Sequence, residues 1–310
     1  MKKILWMTIG LTFLLIVWGG IVRNSGAGLA CPDWPLCHGK IIPPLETLIL
    51  LEWGHRLIAS FVVLFTFLVV LFGIGSQKYR RLIGEMALIT FFLLIVQALL
   101  GALTVKYGLG PQFVTLHLAV AWIFLALLLW MYLVIARPAG PKQSPGGGIA
   151  EPVLSEVEGA PRNDRKLALL ATVLVYGQGV LGAYVGSSHA GLACPDFPTC
   201  FGRWIPTMTG GIPYQFAHRM VAFLVLATII GLVTTGFQAP IEKCFRSLLW
   251  GILSATILQI SFGIGNVLLR LPPWMSVAHL GVGTALFAML VVVTYILTHE
   301  RKNAGLSPTH

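Results

Sequence analysis

Charge is what this chain has least of. Asp, Glu, Lys and Arg make up 10% of its 310 residues, against about 25% in soluble domains. With 56% apolar residues and a mean hydropathy of +0.84, a water-soluble globule is excluded. Acidic side chains are scarcer still, 11 against 21 basic ones. The resulting net charge of +10 does not mark a nucleic-acid binder, because the basic residues are not gathered into a patch. Fourteen of the 21 lie in the termini or in the loops that follow even-numbered apolar segments, among them Lys2, Lys78, Arg81, Arg137, Lys166, Lys243 and Arg301. By the positive-inside rule those loops and both termini are cytoplasmic, in an inner (plasma) membrane. Cysteine is also scarce, with five in all.

What the chain has is apolar runs. Eight are long enough to cross a bilayer as helices: 4–22, 53–75, 85–105, 113–136, 167–186, 216–236, 247–268 and 275–297. Backbone polar groups in lipid must be satisfied within the segment, so the expected class is an all-α integral membrane protein. MKK before an apolar run resembles a signal peptide. The GLAC that follows recurs at Cys194, where no signal peptidase would act, so the first segment is read as a retained helix. Residues 137–166, rich in Pro and Gly, form a cytoplasmic linker.

The chain is internally duplicated. Residues 28–37 read GLACPDWPLC and residues 191–200 read GLACPDFPTC, with eight of ten positions identical. His55 (EWGHR) is matched by His218 (QFAHR), and His117 (TLHLAV) by His279 (VAHLGV). A repeat on this scale fixes the organisation: two tandem pseudo-symmetric four-helix bundles, 1–136 and 167–310, each with a cysteine pair and a histidine pair.

Each histidine is expected about one turn inside the outer end of an even-numbered helix. Two imidazoles at equal depth on facing helices can bind one iron from opposite sides, as axial haem ligands do. Ionisable residues within a membrane span usually mark function. A single such histidine reads equally well as a core residue bonded to a backbone carbonyl. Four in register across a duplication do not. Zinc would want more ligands. Gly54, Gly101, Gly281 and Gly283 would leave room for a macrocycle, or serve ordinary helix packing.

The pairs Cys31–Cys37 and Cys194–Cys200 lie in outward loops, where disulfides persist. They read as structural disulfides, as dithiols that cycle, or as metal ligands with His38. Cys244 is single. The halves differ where Glu52 stands three residues before His55, because Gln215 takes that place before His218. Residues i and i+3 share a helix face, which would set a titratable carboxylate beside whatever His55 binds. The alternative is a carboxylate favoured by the dipole at a helix N-terminus. Arg56 and Arg219 follow the histidines, as partners for haem propionates or as snorkelling interfacial side chains.

Together these residues resemble the haem A synthase family over nearly the whole chain. The resemblance implies an oxidoreductase that converts the C8 methyl of haem O to a formyl group by two successive hydroxylations, supplying haem A to cytochrome oxidase. It implies haem O as substrate between His55 and His117 with Glu52 essential, and a haem B cofactor between His218 and His279. It matches Cys31 and Cys37 to a pair linked to haem transfer from haem O synthase, the implied donor. The membrane electron acceptor and any homo-oligomer are left open. The competing readings are a dihaem b-type electron-transfer protein, with two equivalent pockets, and a transporter, which would place its sites nearer the midplane.

Overall fold

A computed structural model describes residues 1–137, 162–238 and 243–299. Eight long helices account for most of them: α1 (Lys2–Asn24), α2 (Thr47–Gly75), α3 (Gln77–Lys106), α4 (Pro111–Ala136), α5 (Arg162–Ser187), α6 (Ile212–Gln238), α7 (Lys243–Leu268) and α8 (Pro273–His299). All eight are long and apolar enough to span a membrane, and the protein is a multi-pass membrane protein. Most of the 137–166 linker lies outside the described residues.

The helices outrun the apolar segments, and local chemistry explains the extra turns. Pro111 and Pro273 open α4 and α8, where the missing N–H is no loss. α2 starts at Thr47 and not near residue 53. Glu52 is not the edge of the span that its charge suggests, because it is buried and paired inside the helix. Ser76, in extended geometry, separates α2 from α3.

α1 to α4 pack in a ring, each against the next and α4 against α1. α5 to α8 form a second ring in the same way. The rings meet through α1 on α8, α4 on α5, and α4 on α8. Exchanging the halves maps the first contact onto the second and leaves the third in place. An approximate two-fold axis therefore runs between α4 and α8, giving two tandem pseudo-symmetric bundles. These two helices are the centre of the molecule. Of their apolar windows 44% and 61% is buried, against 17–33% for the other six. Trp122 on α4 stacks on Phe287 of α8 with ring centroids 4.9 Å apart. It also lies across Gly179 of α5, where a Cβ would come within 2.4 Å of the indole.

Candidate haem sites and their disulfide caps

Each ring carries its histidine pair on its second and fourth helices. His117, His218 and His279 stand six residues past the first residue of α4, α6 and α8, and His55 eight past that of α2. They lie about two turns in, deeper than the single turn expected from the apolar boundaries, because the helices start earlier. All four are half-buried, and each has a fully buried Nδ1 with no hydrogen-bond partner.

Every ring faces a glycine on the preceding helix. A Cβ built on Gly19, Gly101, Gly182 or Gly263 would meet Cε1 of His55, His117, His218 or His279 at 3.1, 3.2, 2.9 and 3.2 Å. Among the glycines singled out from sequence, only Gly101 does this. Gly54 packs against Trp18, Gly281 near Val17, and Gly283 against Gln259. Three rings also meet a glutamine amide nitrogen at Nε2: Gln97 to His117 (3.2 Å), Gln178 to His218 (3.5 Å) and Gln259 to His279 (3.3 Å). The Gln178 amide donates to the His218 carbonyl as well, at 2.8 Å. Each glutamine precedes its glycine by four residues, one turn on the same face. On α1 that position is Leu15, and among the described residues no amide reaches His55. The glutamines escaped the sequence reading. Their signal was the recurrence of Q-x-x-x-G at 97–101, 178–182 and 259–263, a period shorter than the obvious duplication.

The loop ahead of each second helix folds over its bundle and is closed by a disulfide, Cys31–Cys37 and Cys194–Cys200. All four cysteines are buried. With their sulfurs bonded, no thiolate remains for a metal, and the described residues hold no cluster of three or more metal-ligating side chains. The two loops are near copies. The Asp33 carboxylate accepts from the N–H groups of His38 (2.6 Å) and Gly39 (2.8 Å), and Asp196 from Phe201 (2.7 Å) and Gly202 (2.9 Å). The N–H of Gly39, then that of His38, holds Asp33 below the usual carboxylate range. The Thr199 hydroxyl, 2.6 Å away, adds to the Asp196 set and leads in lowering that carboxyl to about 2. His38 and Phe201 occupy the same left-handed backbone position. The His38 ring lies 2.9 Å from the Ala30 carbonyl.

An arginine ties each loop to its bundle. Arg56 donates to the carbonyls of Asp33 and Leu36 and, at 3.0 Å, to that of Cys31. Arg219 donates to Thr199 and Cys194, both at 2.7 Å. The guanidiniums thus have loop carbonyls as partners, which neither reading from sequence foresaw. In the first half Glu52 completes the clamp. One carboxylate oxygen pairs with Arg56 at 2.6 Å, and the other accepts the Cys31 N–H at 2.8 Å. Glu52 is in the second turn of α2, past the first-turn position that the dipole favours, and its carboxylate points to the disulfide loop. In the second half the Gln215 carbonyl oxygen and the Arg219 Nε are buried without partners.

Whether these residues suit a haem can be judged from the donors present. Each ring holds two imidazoles, each with an unpartnered Nδ1 and each against a backbone stripped of Cβ. That is a bis-imidazole donor set of the kind that holds a haem iron, and it fits.

Known proteins resemble this chain over most of its length. A haem A synthase of Shewanella oneidensis is 28% identical over 97% of this chain and 98% of its own length. One from Halalkalibacterium halodurans is 28% identical over 95% of each. One from Shouchella clausii is 32% identical over 68% of this chain and 67% of its own. The COX15-CtaA family, described as cytochrome oxidase assembly proteins, matches residues 2–291. With the duplicated helices and paired disulfides, that match places the chain in the COX15-CtaA family.

Proposed function

We propose that this protein is a haem A synthase, which oxidises the C8 methyl of haem O to a formyl group by two successive hydroxylations, the geminal diol then losing water. The observation that carries the reading is the histidine pair walled by glycine in each half of a chain whose full-length relatives are haem A synthases. His55 and His117 would hold the substrate haem O. His218 and His279 would hold a haem B cofactor, which when bound supplies one-electron oxidation and reduction.

The rest is done by the chain's own side chains. The glycines let the imidazole edges approach the neighbouring helices. The disulfide loops, drawn down by Arg56 and Arg219, cover the ends of the bundles and exclude water. Glu52 is a buried acidic group on the same helix as His55. Three residues from His55, it is placed to hold or move a proton at the substrate periphery once its bond to the Cys31 N–H is exchanged. Arg219 Nε is left over for a propionate. Both termini would be cytoplasmic and the disulfide loops extracytoplasmic, facing a haem O synthase donor that works before cytochrome oxidase assembly.

The test is pigment analysis of membranes co-expressing the chain with haem O synthase. Haem A in the wild type and accumulated haem O in Glu52→Ala are expected. Haem B alone, with haem O present and unconverted in both, would overturn the reading and leave a dihaem electron carrier.

A further inference from the structure

Arg23 closes α1 at the disulfide end, and its guanidinium crosses to the other half. A Cβ on Gly186 of α5 would lie 2.8 Å from one terminal nitrogen of Arg23 and 3.1 Å from the other. Gly186 is the residue that the duplication makes equivalent to Arg23, 163 positions later. One half therefore supplies a cation and the other supplies the space for it. Among the described residues, Arg23 has no ion pair and no hydrogen-bond partner for its guanidinium, and it is half-buried.

Its place relative to the histidines follows from helix geometry. Gly182 and Gly186 are four apart on α5 and share a face. Gly182 abuts the His218 ring and Gly186 abuts the Arg23 guanidinium. Arg23 itself stands one turn beyond Gly19, at the His55 wall, but its guanidinium reaches across to α5, one turn toward the disulfide end from the wall of the second histidine pair. No side chain returns from residue 186 toward the first pair.

A second difference has the same sign. Arg56 is neutralised by Glu52 at 2.6 Å, whereas Arg219 faces the uncharged Gln215. Asp33 and Asp196 occupy equivalent loop positions and do not distinguish the halves. Of the arginines Arg23, Arg56 and Arg219 at this end, only Arg56 has a helix-borne counter-ion among the described residues.

We propose that Arg23 binds a carboxylate of the tetrapyrrole held by His218 and His279, so that the second half retains its dicarboxylate ligand while the first lets its own exchange. This rests on the assignment of a haem to the C-terminal half. It gives a physical reason for one resident and one transient ligand in a duplicated frame. Guanidinium–carboxylate pairing is among the stronger polar contacts, and more so away from bulk water.

The experiment uses the full chain in detergent, loaded with haemin or with haemin dimethyl ester, which lacks free carboxylates. Haem loss to excess apomyoglobin is followed in the Soret band. In a His55→Ala/His117→Ala background, Arg23→Gln should lose haemin roughly tenfold faster, the scale of one charge-assisted hydrogen bond. Arg23→Lys should fall between. With the dimethyl ester the Arg23→Gln effect should vanish. The proposal is overturned if haemin loss is unchanged, or if haemin and ester are loosened equally, which marks a structural role. Loosening confined to a His218→Ala/His279→Ala background would overturn it too, by placing the cation on the first site. If the His55→Ala/His117→Ala protein takes up no haemin while the wild type does, the haem assignment itself fails and the proposal falls with it.

Discussion

Glu52 and Arg56 form an ion pair at 2.6 Å on one face of α2, while Gln215 and Arg219, at the equivalent positions of α6, share no bond. The first half thus spends a buried carboxylate on a task that the second half performs with arginine alone. Since Arg219 anchors its loop without an acid, Glu52 is not needed merely to fold the cap.

Two substitutions separate the roles of Glu52. In Glu52→Gln the amide oxygen can still accept the Cys31 N–H, and the charge at the site becomes that of Gln215. Stability should fall by about 1 kcal/mol, and haem O should nevertheless accumulate. Glu52→Ala leaves the Cys31 N–H and Arg56 without their acceptor in a buried setting, at a cost of about 3 kcal/mol. Thermal unfolding of the purified protein, beside extracted pigment, measures both. Haem A at the wild-type level in Glu52→Gln would show that the carboxylate serves only the loop.

The glycine walls give a graded test. Gly182→Ala puts a Cβ 2.9 Å from His218 Cε1, closer than real contacts allow, so that ring must move. The low-spin haem band of the C-terminal half should be lost or shifted, while that of the other half stays. Gly101→Ala, at 3.2 Å, should act more mildly on the first half. Gly177→Ala, also on α5 but with nothing within 4 Å, should leave both bands intact and stabilise the helix by up to about 1 kcal/mol. Equal effects of Gly182→Ala and Gly177→Ala would remove the glycine–imidazole contact from the account.

Most of the frame was legible in the sequence because hydropathy and duplication are one-dimensional signals. Eight apolar runs become eight helices, and the CPDxP copies become two closed disulfides. The misplaced boundary at Glu52 has a simple origin, since charge reads as an end until its partner is known. Arg56 lies four residues on, but the Cys31 N–H arrives only when the loop folds back. The Gln-Gly register was present as a motif, yet it gains meaning only when the odd helices pack on the even ones. Arg23 over Gly186 could not be read at all, because it depends on how the two rings meet.

The glutamines carry a spectroscopic expectation. Gln97, Gln178 and Gln259 each contact a ring at Nε2, and His55 alone lacks such a contact among the described residues. Gln259→Leu should free the His279 ring to rotate, at about 1 kcal/mol, and shift the low-spin g values of the C-terminal haem in electron paramagnetic resonance. Leu15→Gln on α1 offers His55 the missing amide and should slow exchange of pigment at the first site. If Gln259→Leu and Gln97→Leu both leave the spectra unchanged, the amides do not orient the rings.

The disulfide caps should also respond to acid. The Asp196 carboxyl lies at about 2, held there first by the Thr199 hydroxyl and then by the Gly202 and Phe201 N–H groups. In an unfolded chain an aspartate titrates near 3.9. A carboxyl depressed on folding contributes stability that is complete above the unfolded value and is lost as pH falls through the folded one. The 196–203 turn should therefore resist pepsin at pH 4, loosen progressively below that, and be cleaved readily near pH 2. Asp196→Asn has no carboxylate to protonate and should be cut at a rate that no longer depends on this step. Asp33→Asn should do the same to the first cap, where the lost acceptor serves Gly39 and His38. A wild-type turn cut as fast at pH 4 as at pH 2 would mean that these carboxylates do not hold the caps.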